Sequence, residues 1–298
     1  MAASFIALDW GTTSFRAYLV DTDGSVRDTI TAPGGILAVN DGDFEAELEK
    51  QIGAWDKSLP VVAAGMITSR QGWIELPYLP CPAGAANLAQ ALHHHTTKSG
   101  RRIAFATGLS YRSPGGMPDV MRSEETQVFG SLDMGINHFV TPGTHSKWIA
   151  TDGERIVRYT TYVTGEVYAA LKNHTILGRL MRDGADDEEA FAKGVRGALA
   201  DPAGFLHRIF SARSLALFGE LAPESISSYL SGQVIGTEVA HAIRDNPGQA
   251  EYAVLASPGI GARYVKAIGI AGLKVRYGDP RAIVKGLAII AKKAGLIR

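Results

Sequence analysis

The chain reads as an α/β protein built from two related domains. A short apolar run, Phe5-Ile6-Ala7-Leu8, leads into Asp9-Trp10-Gly11-Thr12-Thr13-Ser14, and an alternating run over residues 15–20 leads out. That is the pattern of two strands joined by a tight turn. The turn recurs as Gly143-Thr144-His145-Ser146, between strand-like runs at 137–140 and 147–150. A repeat at half-chain spacing points to duplicated domains, and 298 residues suffice for two cores. The expected division is 1–134 and 135–298.

Residues 25–31 continue the opening meander as a third strand, which Pro33-Gly34-Gly35 breaks. Asp43 is an N-cap for a helix to Trp55, with Phe44, Leu48, Ile52 and Trp55 on one face. Pro60 introduces Val61–Ala64, wholly apolar and so suited to burial on both faces. The loop 65–73 follows the carboxyl end of that strand, where α/β folds hold ligands. Ser69 and Arg70 are therefore substrate-contact candidates, a solvated surface arginine being the plain alternative for Arg70. Residues 74–82 carry three prolines and read as irregular. A helix is expected over 83–95, where His93-His94-His95 would point in different directions and form a solvated face, not a metal site. A strand is expected over 102–106 and a loop over 107–119.

Ser123 fits as the N-cap of the next helix, with Glu124 and Glu125 in its first turn. In the second half, residues 155–163 alternate as a strand. Thr164-Gly165-Glu166 starts a helix carrying Val167, Leu171 and Ile176. Helices are expected over 186–200, 202–212 and 223–244, a strand over 252–256, and a closing helix over 280–297. Gly232 and Gly236 lie one turn apart on the long helix; close packing and a nucleotide-facing role are the two uses of such a pair.

Turns of glycine and small hydroxyl residues can aim several N–H groups at one point, which suits an anion. Gly11, Thr12 and Thr13, with Gly143 and Thr144 across a cleft, would grip a polyphosphate from both sides. Asp9 could hold Mg²⁺, an ion that prefers oxygen ligands and keeps several waters. The second copy has Thr141 at the matching place, so only one half is equipped for a metal. Glu124 and Glu125 either favour the helix start or supply a general base beside Arg122, as a kinase acting on an alcohol requires. Ser257–Tyr264, with Gly259 and Gly261, looks like a dinucleotide-binding turn, but Tyr264 stands where the third glycine belongs. A turn that accommodates adenosine is the alternative. No Walker A sequence is present.

Thirty basic residues balance thirty acidic ones, which argues against nucleic acid or an anionic membrane as the main partner. Cys81 is the only cysteine; no intrachain disulfide can form, and a reducing cytoplasm is expected. No apolar stretch is long enough to span a bilayer, and no leader pattern opens the chain.

The two Gly-Thr hairpins resemble those of the sugar kinase, actin and heat-shock chaperone superfamily. Several segments resemble the 2-dehydro-3-deoxygalactonokinase family in particular: Asp9-Trp10-Gly11-Thr12-Thr13, Ala64-Gly65-Met66 with Gly72-Trp73 and Pro77-Tyr78-Leu79, and Val120-Met121-Arg122 with Glu124-Glu125-Thr126-Gln127. Pro142-Gly143-Thr144-His145 with Lys147-Trp148, Thr164-Gly165-Glu166, Leu230-Ser231-Gly232 and Ala262-Arg263-Tyr264 extend the likeness over the whole chain. The resemblance implies two ribonuclease H-like, actin-like ATPase domains with a cleft between them. It implies transfer of phosphate from ATP, with Mg²⁺, to the 6-hydroxyl of 2-dehydro-3-deoxy-D-galactonate, a small sugar acid. Asp9 would serve the metal, Glu124 or Glu125 the hydroxyl proton, and His145 and Lys147 the second phosphate hairpin. A sugar-acid carboxylate wants the planar fork of an arginine, and Arg16, Arg70, Arg112 and Arg122 are available. Ser123 departs from the family, which usually has glycine before the two glutamates. A kinase of the same fold acting on another sugar, and a non-catalytic ATP- and sugar-binding sensor, are the rival expectations. The oligomeric state stays open, a homodimer being one option.

Overall fold

A computed structural model describes residues 3–249, 251–279 and 281–298. The chain divides into two compact units. The first comprises residues up to Asn137 together with Ile149–Tyr159 and Asp279–Arg298; the second comprises His138–Trp148 and Thr160–Gly278.

The first unit opens with the antiparallel meander β1 (Ala3–Trp10), β2 (Ser14–Asp21) and β3 (Val26–Pro33). Helix α1 (Phe44–Ile52) follows; the Asp43 side chain accepts from the Ala46 N–H at 3.0 Å, and Phe44, Leu48 and Ile52 are buried. The helix stops short of Trp55, although that indole still reaches the core. Next come β4 (Val61–Ala64), β5 (Leu79–Pro80), β6 (Ala83–Gly84), α2 (Ala85–Gln90), β7 (His93–Thr96), β8 (Arg102–Phe105), β9 (Leu109–Arg112), β10 (Pro118–Met121) and α3 (Glu124–Phe129). The main sheet has the order β3-β2-β1-β4-β8-β7. An antiparallel meander continued by parallel strands is the ribonuclease H-like arrangement that the resemblance implies. All four residues of β4 are buried, as a strand parallel to both neighbours requires. Strands β10, β9 and β5 form a second, small sheet.

Two local expectations fail here. The helix expected over 83–95 ends at Gln90, and His93–Thr96 is an edge strand antiparallel to β8. Pairing with β8 satisfies that backbone and overrides helical propensity. His93 and His94 are exposed, and His95 Nε2 lies 3.2 Å from Glu45 Oε1. The loop expected over 107–119 holds β9 and β10, whose existence depends on pairing with each other and with β5. Neither strand has the apolar run that a local pattern would reveal.

The second unit contains β11 (His138–Thr141) and the start of β12 (Ser146–Thr151). After β13 (Arg155–Tyr162) come α4 (Thr164–His174), α5 (Glu188–Ala200), α6 (Phe205–Arg208), α7 (Ser211–Leu217), α8 (Ile226–Asp245), β14 (Glu251–Val254), α9 (Pro258–Ile270) and β15 (Lys274–Tyr277). Strand β14 lies parallel to both β11 and β15. The helix expected over 202–212 is the two short helices α6 and α7, and Ile176 lies beyond the end of α4. One core gathers Val140, Trp148, Phe191, Val239, Tyr252 and Tyr264; a second gathers Leu177, Ile209, Ile226 and Leu230.

The closing helix α10 (Ala282–Lys293) belongs to the first unit, and the residue expected to begin it, Pro280, lies outside the described residues. It packs on α3 at backbone contact: a Cβ on Gly286 would stand 1.8 Å from the Thr126 carbonyl oxygen, and one on Gly130 1.9 Å from that of Ala282. Among the described residues no helix is long and apolar enough to cross a membrane.

One buried charge braces the first unit. Arg101 has 0% exposure; its Nε donates to Glu49 Oε1 at 2.9 Å, and its terminal nitrogens reach the carbonyls of Ile52, Trp55 and Asp56 at 3.3–3.4 Å. A cation thus meets the negative end of α1. Arg101→Met keeps the stem and strands those acceptors, so it should lower stability by about 3 kcal/mol. Urea denaturation would show this as a lower midpoint with an unchanged slope.

Candidate active site

The first hairpin is built as the sequence suggests. The Gly11 N–H donates to the Ser14 carbonyl at 2.9 Å and closes the turn. The segment after β3 clamps it from behind: the N–H groups of Gly34, Ile36 and Leu37 donate to the carbonyls of Thr13, Gly11 and Thr12 at 2.8, 2.9 and 3.3 Å. Gly35, at φ 50°, sits so close that a Cβ would stand 2.3 Å from the Gly11 oxygen. The carbonyls are therefore engaged at the rear. Among the described residues, neither the Thr12 nor the Thr13 N–H has a backbone acceptor, which leaves two donors for an anion.

Asp9, one residue before the end of β1, is 8% exposed. Its Oδ2 accepts from Arg16 Nη1 at 3.3 Å and its Oδ1 from Ser123 Oγ at 3.2 Å. Burial raises its pKa above the ordinary carboxylate range, against the pull of Arg16 and Ser123. Cation and carboxylate are neighbours because β1 and β2 register Asp9 opposite Arg16.

Ser123 occupies the N-cap position of α3 but caps nothing with its side chain, which goes to Asp9 instead. Its backbone has φ 96° and ψ −36°, a region that glycine occupies freely and that costs other residues about 1–3 kcal/mol. The departure from the family pattern thus falls where the backbone asks for glycine. Three groups of bonds hold it there. The Ser123 N–H donates to both carboxylate oxygens of Glu125 at 3.0 and 2.9 Å, its carbonyl accepts from the Thr126 N–H at 3.1 Å, and its hydroxyl engages Asp9.

The two adjacent glutamates differ sharply. Glu125 has 0% exposure and turns inward onto the backbone. Glu124 is partly exposed; its Oε2 accepts from the Arg122 N–H at 2.9 Å, and its charge acts on Asp9. Arg122 is buried and already engaged: Nη1 donates to Thr68 Oγ1, Nη2 to the Leu76 carbonyl at 3.0 Å, and the guanidinium lies 4.3 Å from the Tyr78 ring centroid. Arg112 is exposed, with Nη1 on the Gly116 carbonyl at 2.8 Å. Ser69 is buried with its hydroxyl on the Met66 carbonyl. Arg70 is exposed, next in the chain to Ser69.

In the second unit Gly143, Thr144 and His145 form an exposed turn between β11 and β12. Gly165 backs it as Gly35 backs the first: a Cβ there would stand 2.5 Å from the Gly143 oxygen. The Glu166 N–H donates to the Thr144 carbonyl at 3.2 Å, and the Glu166 carboxylate pairs with His145 Nε2 at 2.8 Å. Lys147 is buried, with Nζ 3.4 Å from the His145 carbonyl. Thr141, at the place of Asp9, is buried and its hydroxyl has no partner among the described residues.

Three glycines expected at a nucleotide have another use. A Cβ on Gly232 would stand 2.1 Å from the Phe191 carbonyl oxygen, and one on Gly236 2.9 Å from Val195 Cα, so the pair seats α8 against α5. Gly261 would meet the Tyr277 ring at 2.3 Å. Gly259, at the start of α9, differs from these three and faces open space. Among the described residues no cluster of three His, Cys, Asp or Glu could hold a metal.

A profile of the 2-keto-3-deoxy-galactonokinase family matches residues 9–290, which takes in both hairpins and the Asp9–Ser123–Glu124 cluster. The chain belongs to this family. A 2-dehydro-3-deoxygalactonokinase of Escherichia coli (strain K12) is 34% identical to it over 278 residues, 92% of each chain. A Rhizobium meliloti (strain 1021) protein assigned as a 2-dehydro-3-deoxygalactonokinase is 32% identical over 300 residues, covering 98% of this chain and 97% of its own. The crystal structure of a Sinorhizobium meliloti protein assigned likewise superposes with a TM-score of 0.90 at 31% identity, over 97% of this chain and 98% of that one. As a member of the 2-keto-3-deoxy-galactonokinase family the protein is a carbohydrate kinase.

Sequence reasoning missed the rear clamps of this kinase. Gly35 was visible only as a strand breaker, and Gly165 only as part of a helix start. The signal that could have found them is a glycine shortly after the third strand of each meander.

Glu125 carries a testable consequence. Burial first, and the Glu124 charge second, raise its carboxyl from the ordinary 4.5 to about 8. The folded protein therefore binds this proton more tightly than the unfolded chain does. The resulting stabilisation is complete below the ordinary value and is lost as pH climbs through the raised one. Glu125→Gln cannot ionise, so its melting temperature relative to wild type should rise between about pH 5 and about pH 9. A constant offset over that range would mean an ordinary carboxyl.

Proposed function

We propose that the protein transfers the γ-phosphoryl group of ATP to the 6-hydroxyl of 2-dehydro-3-deoxy-D-galactonate, giving ADP and the 6-phosphate. The observation that carries this reading is the cluster of Asp9, Ser123 and Glu124 beside a Gly-Thr hairpin in a chain of this family. The similarity to the Escherichia coli 2-dehydro-3-deoxygalactonokinase supports the choice of sugar acid.

Each hairpin offers backbone N–H groups to phosphate oxygens. Asp9 would hold Mg²⁺, and its surroundings fit: a buried carboxylate, offset only by a half-exposed guanidinium and one hydroxyl, gains from a cation. Such an ion, typically bound through one carboxylate, waters and the substrate phosphates, would neutralise charge on the transferring group. Glu124, the glutamate with solvent access, accepts the proton of the attacking hydroxyl. Glu125 fixes the backbone before it. Arg122 is committed to Thr68, Leu76 and Tyr78 and shapes the site; Arg70, exposed on the same loop as Thr68, meets the substrate carboxylate. A cytoplasmic location is part of this proposal, in keeping with the single cysteine.

The test is ADP release across a panel of hexoses, hexonates and 2-keto-3-deoxy acids. Activity should be highest with 2-dehydro-3-deoxy-D-galactonate and should stand well above the sugar-free ATPase rate. Glu124→Gln should lower kcat by about 10²–10⁴-fold, the usual worth of general-base catalysis, with both KM values nearly unchanged. A preferred hexose, or undiminished turnover in that variant, would overturn the substrate or the base.

The arginine assignment is separable. Arg70→Ala removes a charge-assisted bond of about 1.5–3 kcal/mol, so KM for the sugar acid should rise roughly 10- to 100-fold while KM for ATP stays put. If Arg112→Ala has that effect instead, the carboxylate sits at the small sheet.

A further inference from the structure

Glu238 is a buried carboxylate that the reaction as described does not use. It lies on α8, is 3% exposed, and belongs wholly to the second unit. Ser146 Oγ donates to its Oε2 at 3.2 Å, the Tyr264 hydroxyl to Oε2 at 2.6 Å, and the Trp148 indole N–H to Oε1 at 2.7 Å. The Thr164 hydroxyl is a fourth donor, and Ser146 and Tyr264 also lie 2.8 Å apart. An ionised carboxylate offers about four lone-pair sites and no proton, so the donor set favours its charged form, against the burial that raises its pKa.

The donors are not scattered. Ser146 is the last residue of the Gly143–Ser146 turn and the first of β12, and Trp148 lies two residues on, facing the same side of the strand. Thr164 is the first residue of α4 and precedes Gly165, whose backbone lies against Gly143 and Thr144. The carboxylate therefore fastens both the exit of the hairpin and the element behind it. An apolar side chain would fill this space without the cost of desolvating a charge. It could not hold two strand donors and two helix donors in a single geometry.

We propose that Glu238 is the positioning residue of the second phosphate hairpin, setting through Ser146 and Thr164 the backbone that receives ATP. This rests on the reading of residues 143–146 as a phosphate-binding turn. Glu238→Gln presents an amide N–H₂ to donors that already point inward, and Ser146→Ala cuts the link on the hairpin side alone. Each should weaken ATP binding, measured by calorimetry on the full-length protein without sugar, by roughly tenfold or more, a loss of about 1.4 kcal/mol per decade. In kinetics KM for ATP should rise and KM for the sugar acid should not. The double variant should be no worse than Glu238→Gln, because the Ser146 link is one of those that Glu238→Gln already disturbs.

A lowered melting temperature with unchanged ATP affinity in the folded fraction would make Glu238 merely structural and overturn the inference. So would additive losses in the double variant. If Glu238→Gln fails to fold, Ser146→Ala decides alone. Gly143→Val separates the underlying reading: unchanged ATP affinity there would remove the phosphate role of the turn, whereas weakened binding there with normal binding in Ser146→Ala would refute the role of Glu238 only.

Discussion

Asp9 is a carboxylate at the end of a buried strand, and it must be held ready for charge where water is scarce. Burial favours its neutral form, and what opposes burial comes from separate parts of the first unit. Arg16 faces it across the β1–β2 ladder, so the same hairpin that carries Asp9 also sets the guanidinium in place. Ser123 approaches from α3 at the cost of a backbone conformation that suits glycine. Helix α3 can stand there because α10 packs on it at glycine-to-carbonyl distance. The last segment of the chain thus supports a residue near its beginning.

The adjacent glutamates divide their work by direction. Glu125 points into the protein, where its oxygens accept the Ser123 N–H and burial raises its pKa. Glu124 keeps contact with solvent and with the charge of Asp9. A one-residue step on a helix turns the side chain by about 100°, enough to separate a buried group from a solvent-facing one. Ser123 ties the pair to the metal candidate, since one residue donates to both Glu125 and Asp9.

The two hairpins show one solution applied twice with different fittings. Each is a Gly-Thr turn with a glycine pressed against its rear, Gly35 in the first unit and Gly165 in the second. Close backing fixes the turn without side chains and leaves the outward N–H groups to a ligand. The fittings diverge at the strand end, where the first copy has a buried carboxylate and the second a buried threonine. The second unit keeps its carboxylate deeper, on α8, where it meets side-chain donors and no solvent.

Where the physics was local, the sequence alone determined the outcome. The β1 turn, the Asp43 cap, the apolar β4 and the repeated Gly-Thr turn all follow from patterns within a few residues, and the family was legible because its motifs are short and contiguous. Tertiary structure decided whatever depended on a distant partner. His93–Thr96 became a strand because β8 offers its edge, and β9 and β10 exist only through one another. Gly232 and Gly236 are explained by α5, some forty residues earlier in the chain. The choice between Glu124 and Glu125 could not be read from two identical letters, because burial separates them, and the buried one is fastened to the Ser123 N–H. Glu238 gave no signal at all, since its four donors lie on β12, α4 and α9 and meet only when the second unit has folded.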